Sequence, residues 1–230
     1  MIKAIVFDLD DTLYDEMQFV KGGFKEVSLY VSRNYNINKN LIYNLLLEVL
    51  KNYGRGSTFD IALEKLDVND EKLVPKLIDI YRKHTPHLSL YPQAKKILNI
   101  LKKQKYGLGL ITDGNSGVQK NKIKALNIED YFNCIIFSDD YGIDKRKPSL
   151  FPYQKVIEKL NVNAKETIYI GDNPHKDFIS AKKLGIHTVR ILKGQYKDIK
   201  LENIYEANYQ IKELTELFDL ISQIKKLLRK

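Results

Sequence analysis

Residues 4–12 read A-I-V-F-D-L-D-D-T, an apolar run that ends abruptly in acids and a threonine. The run Ala4–Phe7 is too short for an independent helix and rich in branched side chains, which predicts a buried strand. Four similar runs follow at Gly107–Ile111, Cys134–Phe137, Thr167–Ile170 and His187–Ile191. Ligands of open parallel sheets bind outside the carboxyl ends of the strands, so the acids after Phe7 predict a functional site.

The segments between these runs show helical periodicity. They are Gln93–Gln104, Val118–Leu126, Pro148–Leu160 and Lys176–Leu184. Strands that alternate with helices of this length predict βαβ units and a parallel sheet. Tyr209–Ile211 is predicted as an edge strand before an amphipathic helix over Leu214–Leu228. The predicted fold class is therefore α/β, with a Rossmann-like core.

The segment 14–88 breaks this alternation, because it has helical periodicity and no convincing strand. Leu45 and Val49, for example, lie on one face of a predicted helix. We therefore predict an α/β core made of residues 1–13 and 89–230. The segment 14–88 is predicted as a small all-helical domain inserted after the first strand.

Composition excludes several classes of protein. The chain has 230 residues, 38 Lys plus Arg against 29 Asp plus Glu, a net charge of +9 and 43% apolar residues. That apolar fraction is ordinary for a globular protein and argues against a disordered chain. The lysines are interspersed with acids, which indicates a solvated surface and no nucleic-acid partner. With a single cysteine, Cys134, the chain cannot be a disulfide scaffold.

The sequence predicts a soluble, cytoplasmic protein without a membrane partner. No apolar run approaches the roughly 18 residues that a membrane span requires. The first acid, Asp8, comes too early for the apolar core of a signal peptide. Nothing in the sequence indicates an oligomeric state.

Carboxylates follow two of the predicted strands at the same edge of the sheet. Asp8 and Asp10 follow the first run, and Asp172 and Asp177 follow the run that ends at Ile170. Two like charges 4 Å apart repel by about 4 kcal/mol at an effective dielectric of 20, so such a cluster needs a cation. Carboxylate, carbonyl and water ligands suit Mg²⁺, and the single Cys and scattered His disfavour zinc.

Asp8 directly follows the strand, where the backbone fixes its position, so its carboxylate is the candidate nucleophile. Attack on phosphorus would form an aspartyl-phosphate and divide a hydrolysis into two easier steps. Asp10 is placed to protonate the leaving oxygen and then to deprotonate the attacking water. Thr112 can donate its hydroxyl to a phosphate, and a nearby loop supplies the cations Lys145, Arg146 and Lys147.

Four motifs in order resemble those of the haloacid dehalogenase superfamily. D-L-D-D-T at 8–12 resembles the first motif, D-x-D-x-T, and Thr112 resembles the second. The loop around Lys145 resembles the third motif, and G-D-N-P-H-K-D at 171–177 resembles the fourth. The helical insert is similar to the cap of the branch that contains phosphoglycolate phosphatase, nucleotidases and β-phosphoglucomutase. The resemblance covers the core as far as about Gly185.

This resemblance implies a role for each matched residue. Asp8 would be the nucleophile and a metal ligand, and Asp10 would be the acid/base whose backbone carbonyl also binds the metal. Thr112 would hold the transferring phosphate. Asp172 would bind Mg²⁺, and Asp177 would lie beside the metal ligands and help to position the basic residue.

The third motif departs from the family pattern G-x-x-K-P-x-P. The chain reads G-I-D-K-R-K-P-S-L-F at 142–151. We prefer Lys145 as the functional amine, because three anchors then agree: Gly142, Pro148 and Phe151. Matching the Lys-Pro pair instead assigns the amine to Lys147. We expect the functional amine to approach Asp8 and Asp177.

The second motif departs at Asp113, where many relatives have asparagine. We group Asp113 with the residues that bind the substrate phosphate, beside Thr112 and Lys145. Its negative charge opposes a phosphate unless the side chain turns away to cap the helix that follows. The sequence leaves both orientations open.

These features predict a Mg²⁺-dependent phosphatase that hydrolyses a small phosphorylated metabolite, with the cap closing over the substrate. A β-phosphoglucomutase-like phosphotransferase would keep the same core residues, but nothing in 14–88 indicates a sugar site. A haloacid dehalogenase would use the same nucleophile without a metal, and Asp10 and the complete acidic fourth motif argue against it. A non-enzymatic basic binding module would not require both acid pairs.

Overall fold

The computed structural model describes residues 1–70 and 72–227 of the chain. This part contains a six-stranded sheet with the order β3-β2-β1-β4-β5-β6, parallel throughout. Its strands are β1 Ala4–Phe7, β2 Gly107–Thr112, β3 Cys134–Phe137, β4 Thr167–Gly171, β5 His187–Ile191 and β6 Tyr209–Ile211. The α/β fold class predicted from the alternating apolar runs is confirmed.

The α-helices are α1 Met17–Tyr35, α2 Lys39–Tyr53, α3 Thr58–Lys65, α4 Leu73–Lys83, α5 Pro92–Lys103, α6 Ser116–Leu126, α7 Phe151–Leu160, α8 Ile179–Lys183 and α9 Leu217–Leu227. The predicted end of the last helix, Leu228, lies outside the described residues. Within the described residues, no helix is both long and apolar enough to cross a membrane.

Helices cover both faces of the sheet. Successive side chains of a strand point to opposite faces. Ile5 of β1 accordingly packs in one apolar cluster with Leu98 of α5, whereas its neighbour Val6 packs in another with Val156 of α7. Burial on both faces explains why the strands appear in the sequence as continuous apolar runs.

The central strand β1 brings the carboxyl ends of three strands together. Phe7 is in register with Leu110 of β2 on one side and with Ile170 of β4 on the other. The chain places β2 and β3 on one side of β1 and β4, β5 and β6 on the other. Such a reversal opens a crevice outside the carboxyl ends of the strands, where ligands bind.

The chain divides into two compact units. One comprises Met1–Glu16 and the residues from Leu88 onward, and the other is Met17–His87. The described residues of the second unit contain α1–α4 and no strand. This unit has its own apolar core, to which Val27, Leu46 and Leu77 contribute.

Candidate active site

Asp8 is held at the carboxyl end of β1 by its backbone and its side chain. Its amide donates a hydrogen bond to the carbonyl of Ile170 at 2.8 Å, and its carboxylate accepts one from Lys147. Burial raises the pKa of Asp8 to about 7, although the charge of Lys147 opposes this effect. A further cation beside Asp8 would favour its ionised, nucleophilic form.

Three buried carboxylates converge beside this strand end. Asp8, Asp172 and Asp177 each place an oxygen within 4.8 Å of the others. Burial raises the pKa of Asp172 well above its usual value, and the charges of Asp177 and Asp8 raise it further. Among the described residues, none donates a hydrogen bond to the carboxylate of Asp172 or pairs with it. An all-oxygen donor set with an uncompensated buried carboxylate fits a hard divalent cation.

The carboxylate of Asp177 accepts hydrogen bonds from several donors of the protein. Its carboxylate accepts hydrogen bonds from the backbone of Asn173 at 2.9 Å and the hydroxyl of Tyr169 at 3.1 Å. Lys147 Nζ lies 2.8 Å from Asp177 Oδ1. The glycine of the same motif, Gly171, is required because a side chain there would collide with Asp177. These contacts favour a role for Asp177 in holding the lysine.

Lys147, not Lys145, approaches Asp8 and Asp177. The Lys147 side chain is 0% exposed, and Nζ donates to Asp8, to Asp177 and to Tyr169 Oη at 3.0 Å. The Lys145 side chain is 39% exposed, and Nζ lies 2.6 Å from Asp144. The placement expected for Lys145 is therefore wrong, and Lys147 takes it.

A short 3₁₀ helix explains this correction. It spans Ile143–Lys145 and places two additional residues between Gly142 and the Lys-Pro pair. A match made by counting residues from Gly142 therefore selects Lys145, two residues before the lysine of the Lys-Pro pair. Arg146, which follows, has extended backbone and pairs with Asp139 at 2.6 Å.

Asp10 lies in a network of donors from the first loop and from α6. Lys122 Nζ is 2.8 Å from Oδ1 and 3.0 Å from Oδ2, Tyr14 donates to Oδ1 at 2.6 Å, and Gln119 donates to Oδ2 at 3.0 Å. Burial raises the pKa of Asp10, but the charge and hydrogen bonds of Lys122 outweigh it and, with Tyr14 and Gln119, lower the pKa to about 2. Asp10 is therefore a carboxylate in this arrangement.

Thr112 is buried at the end of β2 and shares a donor with Asp10. Gln119 Nε2 lies 2.8 Å from Thr112 Oγ1 and donates a hydrogen bond to it. The Thr112 hydroxyl hydrogen therefore points away from that nitrogen and can be donated to another group. The Ser138 hydroxyl oxygen lies 3.2 Å from the Thr112 carbonyl, beside the end of the strand.

Asp113 does not cap α6, because Asn115 does so by accepting from the helix backbone at 3.1 Å. The Asp113 carboxylate instead accepts from Ser138 at 2.7 Å and from the amide of Lys147 at 3.2 Å, and pairs with Lys176 at 3.3 Å. Burial raises the pKa of Asp113, but Lys147, Lys176 and Ser138 outweigh it and lower the pKa. The added charge is thus matched by a lysine.

Residues 5–191 match the family described as haloacid dehalogenase-like hydrolase. The chain belongs to this family. It is 37% identical over 98% of its length to the glyceraldehyde 3-phosphate phosphatase of Methanocaldococcus jannaschii, all of which is covered. It is 34% identical over 96% of its length to that of Pyrococcus furiosus, 94% of which is covered.

A solved structure is also similar to this chain over almost its whole length. The haloacid dehalogenase-like hydrolase described here is similar, with a TM-score of 0.65 and 25% identity, to the HAD phosphatase from Thermococcus onnurineus. The similarity covers 96% of this chain and 98% of that one. The predicted family and the predicted class, a hydrolase acting on phosphate esters, are confirmed.

Sequence reasoning missed three residues of this hydrolase that contact its candidate site. Lys122 and Gln119 both reach Asp10 from α6, and Lys176 reaches Asp113 from the loop after β4. In the sequence, Lys122 looks like one more lysine of a solvated helix. The available signal was its position beside the apolar Ile123, which places it at the edge of the buried face.

Proposed function

We propose that this hydrolase removes phosphate from a small phosphate ester through an aspartyl-phosphate on Asp8. The convergence of Asp8, Asp172 and Lys147 at the carboxyl ends of β1 and β4 carries this proposal. These residues supply a nucleophile, a ligand for a divalent cation and a buried ammonium group at one site. We assign the cap of the enzyme to the helical unit Met17–His87.

In the first step, Asp8 attacks phosphorus, the bond from phosphorus to the leaving oxygen breaks, and that oxygen takes a proton from Asp10. In the second step, water attacks the phosphorus of the aspartyl-phosphate and gives a proton to Asp10. The bond from phosphorus to the Asp8 oxygen breaks, which releases phosphate and restores the Asp8 carboxylate. The carboxylate form of Asp10, paired with Lys122, is the form that the second step requires. The first step requires the protonated form, and Asp10 takes up this proton as the negative charge of the bound phosphate ester raises its pKa. Thr112 and Lys147 are the donors for the phosphoryl oxygens.

The cation that we propose is Mg²⁺, held by the carboxylates of Asp8 and Asp172 and the backbone carbonyl of Asp10. All three donors are oxygens, which Mg²⁺ prefers, and the Asp172 carboxylate has no other partner among the described residues. Bound there, the ion would neutralise negative charge on the phosphoryl oxygens as the nucleophile approaches.

The substrate that we propose to test first is glyceraldehyde 3-phosphate, because relatives that match almost the whole chain are phosphatases of this compound. We expect phosphate release from it, and from 4-nitrophenyl phosphate, in the presence of Mg²⁺. An excess of chelator should lower both rates by at least about 100-fold, and added Mg²⁺ should restore them. Undiminished rates in chelator would contradict the metal requirement. Phosphate release from 4-nitrophenyl phosphate but not from glyceraldehyde 3-phosphate would contradict the proposed substrate.

Asp10→Asn should lower kcat/KM for glyceraldehyde 3-phosphate by about 10²- to 10⁴-fold, because the amide cannot transfer the proton. The loss for 4-nitrophenyl phosphate should be smaller, since nitrophenolate leaves without a proton. The two substrates thus control for each other in one variant. Equal losses would show that Asp10 acts on something other than the leaving oxygen.

A further inference from the structure

Lys176 spans the gap between the loop after β4 and the loop after β2. Its Nζ lies 3.3 Å from Asp113 Oδ2, and its side chain is 32% exposed. An ammonium group has three N–H donors. Among residues 1–70 and 72–227, Asp113 is the acceptor within hydrogen-bonding distance of this group. Lys176 therefore retains donors that the described residues do not use.

Lys147 provides the contrast. Its side chain is fully enclosed, and its ammonium group already has three acceptors, in Asp8, Asp177 and Tyr169. A phosphoryl oxygen must therefore share the donors of Lys147 with these three acceptors. An incoming phosphate needs donors of its own, because it brings further negative charge into a site with several carboxylates.

Lys176 is close enough to Asp8 for their charges to interact. Burial and the charge of Lys147 lower the pKa of Lys176, but Asp8, Asp177 and Asp113 outweigh them and raise it. The side chain is therefore a cation, and its contact with Asp113 places it beside the end of β2.

One carboxylate oxygen of Asp113 pairs with this cation, and the other accepts hydrogen bonds from Ser138 and from the backbone of Lys147. Oδ1 accepts from Ser138 Oγ at 2.7 Å and from the amide of Lys147 at 3.2 Å. Oδ2 faces Lys176. An asparagine at this position would keep the first oxygen and lose the charge that attracts the lysine.

We propose that Lys176, anchored by Asp113, binds the phosphoryl group of the substrate as a second cation beside Lys147. The inference rests on the proposed function, because it concerns the phosphate of that substrate. It explains why this chain has an acid after Thr112: the charge serves the lysine and does not face the phosphate.

The test compares Lys176→Met with wild type in the presence of Mg²⁺. We expect KM for 4-nitrophenyl phosphate and the inhibition constant of inorganic phosphate to rise together, each by about 10- to 100-fold. Lys176→Arg, which keeps the charge, should recover part of both. Lys183→Met removes an exposed charge from α8 nearby and should change neither constant.

Asp113→Asn tests the anchor. It should also raise the inhibition constant of phosphate, and the double variant should bind phosphate no more weakly than Lys176→Met alone, because the two residues act as one unit. Additive losses would contradict the pairing.

A lower unfolding temperature of Lys176→Met with unchanged KM and inhibition constant would overturn the inference, since the lysine would then only link two loops. Lys176→Gln, measured in parallel, serves if the Met variant does not fold. If the wild type hydrolyses phosphate esters with the help of Asp8, but KM and the inhibition constant are unchanged in Lys176→Met and Lys176→Gln, the role of Lys176 is contradicted and the proposed function is not. A wild type that neither hydrolyses phosphate esters nor binds phosphate contradicts the proposed function as well.

Discussion

Asp8→Asn should lower kcat for phosphate esters by about 10⁴-fold or more, because the amide oxygen is too weak a nucleophile to attack phosphorus. The substitution conserves shape, and Lys147 keeps Asp177 and Tyr169 as partners. It also removes one of three mutually repelling buried carboxylates. The folded state should therefore survive, and the loss should lie in chemistry. The measurement is steady-state phosphate release, with thermal unfolding of both proteins beside it.

Asp144→Asn is the matched control for this variant. Asp144 belongs to the third motif, which also contains Lys147, but its side chain is exposed, and its ion-pair partner among the described residues is Lys145. Its removal should leave the rate within about twofold of wild type, as surface changes away from a site usually do. A slow Asp144 variant, or an Asp8→Asn variant with more than a few per cent of the wild-type rate, would contradict the assignment of the nucleophile.

Lys147→Met should be damaging in two ways. It leaves Asp8 and Asp177 buried without their shared cation, which should destabilise the fold by about 3–5 kcal/mol. It also removes a donor from the reacting phosphoryl group, which should lower kcat by about 10²- to 10³-fold. Chemical denaturation and steady-state kinetics, performed below the lowered unfolding temperature, separate the two effects.

Lys145→Met distinguishes between the two lysines of the motif. Among the described residues, its ammonium group pairs with the exposed Asp144, so both stability and kcat should stay near wild type. The reverse pattern, with a silent Lys147 variant and an inactive Lys145 variant, would restore the match made by counting from Gly142.

The sheet could be predicted because the burial of its strands produces a recognisable pattern of apolar residues in the sequence. Parallel strands covered on both faces appear as short apolar runs, and the runs Ala4–Phe7, Cys134–Phe137 and His187–Ile191 coincide with β1, β3 and β5. The other central strands extend one residue further, to Thr112 and Gly171. Those two residues are polar or small, so they carry no signal of burial, and they lead directly into the site.

The donors around the carboxylates could not be predicted in the same way. Lys122 lies 112 residues from Asp10, and Lys176 lies 63 residues from Asp113. Each is a lysine in a lysine-rich stretch, and only the packing of α6 and of the loop after β4 turns it toward an acid. The choice between Lys145 and Lys147 failed for a related reason, because counting residues does not reveal a 3₁₀ turn inside a loop.

A covalent intermediate on Asp8 can be trapped during turnover. Wild-type enzyme is quenched in acid during turnover with Mg²⁺, treated with borohydride to reduce any acyl phosphate, and mapped by peptide mass spectrometry. We expect reduction at Asp8 that depends on substrate and is absent from the Asp8→Asn variant. Reduction at another carboxylate, with Asp8 intact, would contradict it.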